Sequence, residues 1–143
     1  MLKGIPSVLP PDLVKYLMEM GHSEHLTIVD AHYPAETYGK RLVRCPGANV
    51  SQLIDAILTL MPLDTYVLPA VAMMQVVEGD PIGIPEIWST IKETVKKHEP
   101  KAEIDFLSRG DFYEESKQSF VIIQSGDKAQ YANIILRKGI VKQ

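Results

Sequence analysis

Apolar residues recur at helical spacing in several segments of the chain, and this spacing predicts amphipathic helices. Pro10 and Pro11 suit the start of the first helix, and Gly21 suits a left-handed stop after it. Ser51 is placed to cap the second helix. The predicted helices are Asp12–Met20, Ser51–Leu60, Pro85–Lys97 and Asp111–Gln118.

Short runs of β-branched and apolar residues alternate with these helices and predict strands. The longest run, Tyr66–Val77, is nearly all apolar, as is typical of a central parallel strand buried on both faces. Pro69 is unfavourable near its start. The segment Ala31–Lys40 contains Pro, Gly and polar residues and predicts a loop. The predicted strands are His25–Asp30, Arg41–Cys45, Tyr66–Val77, Glu103–Leu107, Phe120–Gln124 and Tyr131–Leu136.

The alternation of strands and helices implies parallel crossover connections. We therefore predict an α/β fold, a three-layer α/β/α sandwich with a mostly parallel central sheet. No internal repeat or low-complexity linker divides the chain, so residues 1–143 are predicted to form a single domain. The pattern does not specify the order of the strands.

Composition and charge narrow the class of protein. The 143 residues are 45% hydrophobic and 23% charged, with a net charge of −3, as in ordinary globular proteins. The acidic balance argues against nucleic-acid binding, because few phosphate counterions would be released. Cys45 is the only cysteine, which excludes an internal disulfide and favours a reducing compartment. No run resembles a signal peptide or the roughly 20 apolar residues that cross a bilayer, so we expect a cytoplasmic protein with no membrane partner.

Motifs that bind nucleotides or present a nucleophile are absent, since the chain has no GxGxxG, GxxxxGK[ST] or GxSxG sequence. Its four histidines show no HExxH or similar metal-ligand spacing. The sequence therefore predicts neither a cofactor nor a metal.

Titratable side chains lie at the ends of predicted elements. Asp30 ends the first predicted strand and His32 follows it, at the edge where open α/β sheets bind ligands. If the chain stays extended there, the two side chains share one face. The alternative for Asp30 is a turn cap. His22 directly follows the first helix, so it is a candidate site residue. The alternative interpretation is that it only interacts favourably with the dipole at the C-terminal end of that helix.

A second polar group lies near the end of the sequence. Tyr131 and Asn133 alternate on one face of a predicted strand, so both can point into one crevice. In the alternative interpretation, Tyr131 and Asn133 lie on the exposed face of an edge strand. Arg109, beside Gly110, is by itself equally consistent with an ordinary surface residue. Together these side chains offer the donors and acceptors that sugar hydroxyls require, and a histidine exchanges protons near neutral pH. The residues alone thus predict a small-molecule pocket that suits a carbohydrate.

Several segments in order along the chain resemble the L-fucose mutarotase / D-ribose pyranase family. The opening MLKGI, the segments Met20–His22 and Ile28–Pro34, and the ending Tyr131–Gly139 carry the resemblance, which covers essentially the whole chain. Further segments resemble the fucose branch, namely Leu53–Leu58, Pro62–Asp64, Met73–Met74, Val77–Asp80 and Phe112–Glu114.

The resemblance implies an isomerase that interconverts the α and β anomers of a sugar by acid–base ring opening, without a cofactor. It makes His22 the proton donor. From its position after the first predicted strand, His32 is a possible substrate contact. The catalytic base is Tyr131 or a bound water. The implied substrate-binding residues are Asp30, Arg109, Tyr131, Ala132 and Asn133. Family members form ring-shaped homo-oligomers, often decamers, with sites at subunit contacts.

Two features of the sequence bear on which sugar is the substrate. His32 and the pair Met73–Met74 favour L-fucose, whereas Ala132 is the residue more usual in the ribose branch, so D-ribose remains an alternative. A rival of another class is a non-catalytic sugar-binding or phosphocarrier protein of sugar transport, with His22 accepting phosphate. His22 follows the C-terminal end of a helix, where the negative end of the dipole disfavours a bound phosphate and therefore disfavours this rival.

Overall fold

The computed structural model describes residues 1–143 and contains five helices and six strands. In chain order they are α1 (Pro11–Glu19), β1 (His25–Val29), α2 (Ala35–Tyr38), β2 (Leu42–Cys45), α3 (Val50–Leu60), β3 (Val71–Met74), α4 (Ile87–His98), β4 (Ile104–Leu107), α5 (Arg109–Gln118), β5 (Val121–Ser125) and β6 (Ile134–Arg137). The longest helix has 12 residues, and none is long and apolar enough to cross a membrane.

The strands form one sheet in the order β2-β5-β1-β6-β3-β4. The pairs β1–β5, β2–β5 and β3–β4 are parallel, while β6 runs antiparallel to both β1 and β3. The predicted mostly parallel sheet is confirmed, with β6 as the antiparallel insertion. Because β6 runs against its neighbours, the residues just before it lie at the edge where β1 and β3 end.

Helices cover both faces of the sheet and confirm the predicted three layers. The larger core lies on the face of α1, α3 and α4, where Leu13, Ile54 and Ile91 are fully buried against the strands. The smaller core lies on the face of α2 and α5, around Phe112 and Tyr33. All five residues of β1 are buried, as expected of a strand with neighbours on both sides and helices on both faces.

Two predicted strands were too long. Of the run Tyr66–Val77 only Val71–Met74 is a strand, because Pro69 has no N–H for a ladder and Tyr66 and Leu68 are exposed. Of Tyr131–Leu136 only the residues from Ile134 onward pair, because Tyr131 has a left-handed φ of 62°.

Two local details of the helices also differ from prediction. The segment predicted as a loop contains the short helix α2. The predicted cap at Ser51 is wrong, because Asn49 caps α3 by accepting the Gln52 N–H at 2.8 Å. The Gln52 side chain reaches back to the Asn49 N–H and completes a capping box. Ser51 Oγ is instead buried without a hydrogen-bond partner.

Candidate functional site

A cavity of about 560 Å³ opens at the sheet edge where β1, β3 and β4 end and β6 begins. This is the edge at which α/β sheets bind ligands. Eleven residues line it, most of them polar or aromatic: Asp30, His32, Tyr33, Met74, Val77, Asp80, Arg109, Tyr113, Gln130, Tyr131 and Asn133. Five of the predicted site residues, namely Asp30, His32, Arg109, Tyr131 and Asn133, are therefore brought together.

Asp30 and Asn133 form a buried pair at the base of the cavity. The Asp30 backbone N–H donates to Asn133 Oδ1 at 2.9 Å, and Asn133 Nδ2 donates to Asp30 Oδ2 at 3.2 Å. Burial raises the pKa of Asp30, while the hydrogen bonds from the His32 N–H and Asn133 oppose the rise. Both carboxylate oxygens are already held in place, so Asp30 is a fixed acceptor for a ligand hydroxyl.

The chain turns directly after Asp30 instead of staying extended. The His32 N–H donates to Asp30 Oδ1 at 2.9 Å, and the Tyr33 N–H donates to the Asp30 carbonyl. The expectation that Asp30 and His32 share a strand face is therefore wrong, although the turn still places the His32 ring at the cavity. Asp30 thus caps a turn and lines the cavity, so the two readings of this residue do not compete.

Tyr131 is held in its left-handed conformation by contacts at both ends. Its carbonyl accepts the indole N–H of Trp88 on α4 at 3.0 Å. Its phenol donates to Asp80 Oδ2 at 2.6 Å and accepts the Val77 N–H at 3.3 Å. The hydrogen bond to Asp80, followed by burial, raises the pKa of Tyr131, and the same bond lowers the pKa of Asp80. Tyr131 and Asn133 reach one cavity through this turn, not through the predicted strand alternation.

Arg109 is the first residue of α5 and the only Arg or Lys of the cavity lining. Its Nε donates to the Tyr113 hydroxyl at 3.1 Å, and its guanidinium lies 5.2 Å from the centre of that ring. Tyr113 in turn packs edge-on against Tyr33 at 5.3 Å. Arg109 therefore presents donors from an aromatic wall. Ala132, in contrast, is fully buried in the larger core and does not line the cavity.

His22 is not at this cavity in a single chain. It precedes β1, whereas Asp30 follows it, and the five residues of this strand span roughly 16 Å. The structure therefore brings five of the predicted groups together but leaves Ala132 in the core and the predicted proton donor at the opposite edge of the sheet.

At that edge His22 is oriented by a buried carboxylate. Its Nε2 lies 3.0 Å from Asp64 Oδ1, and Asp64 also accepts the Ser23 hydroxyl at 3.0 Å and the Tyr66 N–H at 2.8 Å. Burial alone would raise the pKa of Asp64, but these hydrogen bonds lower it to about 2. Ionised Asp64 therefore accepts the Nε2 proton of His22 and leaves Nδ1 free on a half-exposed ring. A histidine oriented by a third group is a common arrangement for proton transfer.

The helix-dipole alternative for His22 is not supported. Lys138 Nζ donates to the carbonyls of Leu17 and Met20, at 2.7 and 2.5 Å, and so satisfies the end of α1. His22 instead lies at an apolar groove of about 510 Å³ beside α1 and the C-terminal residues. Met18 and Val141 at this groove are 80% and 78% exposed, which is high for apolar side chains.

Sequence reasoning missed the two carboxylates that hold these groups, Asp64 and Asp80. Both lie within segments that carry the family resemblance, but both depend on loops whose paths the apolar pattern does not specify. A signal was nevertheless present, since an Asp directly after Gly79 is typical of a turn. No group of three or more His, Cys, Asp or Glu side chains is arranged to hold a metal ion.

Comparison with known proteins gives a consistent result. Residues 3–141 match the RbsD / FucU transport protein family. A fucose mutarotase from Streptococcus pneumoniae, solved in complex with L-fucose, is 45% identical, with 99% of this chain and 100% of that chain covered and a TM-score of 0.91. FucU from Bifidobacterium longum is 44% identical, with coverage of 98% and 100% and a TM-score of 0.93. RbsD from Bacillus subtilis, complexed with D-ribose, is 22% identical, with coverage of 99% and 100% and a TM-score of 0.75, and shares the fold.

Proposed function

The chain belongs to the RbsD / FucU family, and we propose that it acts as an L-fucose mutarotase, an isomerase that interconverts the α and β anomers of L-fucose. The observation that carries this proposal is the 45% identity, over 99% of the chain, to a fucose mutarotase solved with L-fucose. The cavity supports it, because its carboxylate, amide, guanidinium and phenol groups match the donors and acceptors of a monosaccharide.

The reaction needs only proton transfers. A base takes the proton of the anomeric hydroxyl while an acid protonates the ring oxygen, and the bond between that oxygen and the anomeric carbon breaks. The free aldehyde rotates, and the ring closes on either face with the proton transfers reversed. Acid–base assistance of this kind is worth about 10²–10⁴-fold in rate.

Each site residue has a role that its chemistry supports. Asp30 and Asn133 bind sugar hydroxyls from a rigid base, and Arg109 donates to a hydroxyl from its place beside Tyr113. Tyr131 accepts the anomeric proton. His22, in its doubly protonated form with Nε2 held by ionised Asp64, serves as the acid and donates its Nδ1 proton to the ring oxygen. Fixed partners reduce the loss of entropy when the sugar is bound in a reactive geometry.

His22 can act at the cavity, despite its distance from it within one chain, if neighbouring copies complete each other's sites. In a head-to-tail contact the His22 edge of one sheet faces the Asp30 edge of the next, and repeated contacts of this kind close into a ring. The exposed apolar groove beside His22 supports such a contact, since large apolar patches usually mark interfaces. We propose a ring-shaped homo-oligomer, a decamer as the family resemblance implies.

D-ribose is the second candidate substrate, favoured by Ala132, which is the residue more usual in the ribose branch. Measuring anomer exchange of L-fucose and D-ribose by saturation-transfer NMR separates the two. We expect a higher kcat/KM for L-fucose, unchanged by a chelator. Exchange of D-ribose alone would assign the chain to the other substrate, and no exchange of either sugar would refute the activity.

A further inference from the structure

We propose that Asp80 is a positioning residue for this reaction, which holds the phenolic proton of Tyr131 so that the phenol oxygen faces the sugar as an acceptor. The inference rests on the proposed function and adds a residue to it. Tyr131 Oη donates to Asp80 Oδ2 at 2.6 Å, the shortest contact that the phenol makes. The other carboxylate oxygen of Asp80 accepts the Ile82 N–H at 3.0 Å, so Asp80 is itself fixed.

The loop that carries Asp80 is built to reach the cavity. Residues 75–86 connect β3 to α4, and Gly79 and Gly83 have left-handed φ values of 87° and 74° that let the chain fold back. The Asp80 N–H donates to the Val77 carbonyl at 3.0 Å and closes a turn. Val77 and Asp80 both line the cavity and both contact the Tyr131 hydroxyl, so the loop meets the site at this one group.

The arrangement sets the direction of the hydrogen bond that Tyr131 can make with a ligand. A phenol has one proton to donate and lone pairs that accept. The proton is committed to Asp80 and the Val77 N–H occupies one acceptor position, which leaves the phenol to accept from a sugar hydroxyl. Without Asp80 the phenol proton could rotate toward the sugar, the wrong direction for removing the anomeric proton.

The same pair can take up that proton when the ring opens and give it back when the ring closes, so that the pair is unchanged after each cycle. As the anomeric hydroxyl proton passes to Tyr131 Oη, the phenolic proton passes to Asp80 Oδ2, and ring closure returns both. At rest the pair is phenol and carboxylate, because the hydrogen bond raises the pKa of Tyr131 and lowers that of Asp80. The charge of Arg109 lowers the pKa of Tyr131 slightly, and the other titratable groups of the cavity are Asp30, His32, Tyr33 and Tyr113.

The test compares Asp80→Asn with Glu78→Gln, a matched loss of charge at an exposed residue of the same loop outside the cavity lining. We expect Asp80→Asn to lower kcat for L-fucose exchange about 10- to 100-fold, with KM nearly unchanged. Asp80→Glu should restore part of the rate, and Glu78→Gln should exchange at the wild-type rate. Asp80→Asn should add nothing further in a Tyr131→Phe background, because both changes disable the same unit.

A second readout does not depend on activity. Ultraviolet titration of the six tyrosines should show one phenol ionising at lower pH in Asp80→Asn than in the wild type, because the carboxylate no longer opposes phenolate formation. An unchanged titration, or losses of rate that multiply in the Tyr131→Phe background, would overturn the role of Asp80. If the wild type exchanges no sugar, the proposed function fails, and the titration alone still decides the Asp80–Tyr131 pair.

Discussion

Asn133 holds Asp30 by two hydrogen bonds of opposite direction, accepting its backbone N–H at 2.9 Å and donating to its carboxylate at 3.2 Å. Both side chains are buried; Asp30 directly follows β1 and Asn133 directly precedes the antiparallel strand β6. The amide orientation of Asn133 is therefore fixed, since exchanging its oxygen and nitrogen would break both bonds. This pair forms the base of the cavity on which the proposed sugar binding depends.

Asn133→Asp should disable this base. The change places a second carboxylate against Asp30, so one of the two must hold a proton, and the pKa of the pair rises. We expect L-fucose binding to be lost at pH 7 and the free energy of unfolding to fall by about 1–3 kcal/mol. Because the folded pKa is raised, the stability deficit should shrink as the pH is lowered toward the pKa of a free carboxyl.

Urea unfolding and NMR binding titrations between pH 5 and 8 measure both effects. Gln118→Glu adds the same charge at an exposed residue of α5 outside the cavity lining and is the control. If Asn133→Asp binds L-fucose as the wild type does, the assignment of the sugar to this cavity is wrong.

A mixing experiment tests whether His22 acts in the cavity of a neighbouring copy. His22→Ala and Asp30→Asn should each be nearly inactive alone. If sites are shared, random mixed rings at equal amounts should regain about a quarter of wild-type sites, since each site then needs one intact residue from each of two neighbours. Co-expression with two affinity tags isolates the mixed species. Persistent inactivity of the mixed rings would place His22 and Asp30 in the same chain's site, whereas a fully active His22→Ala protein would remove His22 from the reaction.

His25 should make stability depend on pH. Burial, with the positive charges of Arg137 and Lys40, lowers the pKa of His25 to about 4. The unfolded chain therefore binds a proton that the folded chain does not between about pH 6.5 and 4, and stability falls as the pH is lowered through this window, by at most about 3 kcal/mol. In His25→Asn, which keeps a polar group near the Ser119 hydroxyl, this contribution should be absent. If the free energies of unfolding of the two proteins change with pH in the same way between pH 4 and 7, the assignment to His25 is wrong.

Trp88 should influence the reaction although its side chain does not line the cavity. Its indole N–H holds the carbonyl of Tyr131, and its ring packs against Phe106 at 4.8 Å. Trp88→Phe keeps an aromatic ring but removes the donor and part of the buried ring volume. We expect the free energy of unfolding to fall by about 1 kcal/mol and the exchange rate to fall about tenfold, because Tyr131 loses its fixed position. A normal rate with reduced stability would show that the bond serves folding alone.

Periodicity was sufficient to predict the α/β sandwich and every helix except the short α2, because apolar spacing reports burial directly. It did not predict where strands end, since Tyr131 leaves the extended conformation through a left-handed φ that the apolar pattern does not specify. Nor did it predict that β6 is antiparallel, which brings Asn133 to Asp30 across more than 100 residues of sequence.

The candidate site was predicted in part. The position after the first strand predicted that Asp30 and His32 lie at this edge of the sheet, and both line the cavity there. His22 is close to Asp30 in sequence but lies at the other end of the intervening strand, and sequence distance does not report this separation. Asp64 and Asp80 act through loops, and their partners became evident only from hydrogen bonds.

Saturation-transfer NMR on L-fucose tests the central claim most directly. With the wild-type protein, irradiating the anomeric proton of one anomer should reduce the signal of the other at a rate proportional to protein concentration, in the presence of a chelator. Asp30→Asn, which keeps the volume of the side chain but removes its charge, should lower that rate by about tenfold or more. Exchange no faster than in buffer, or equal rates for the two proteins, would contradict the account.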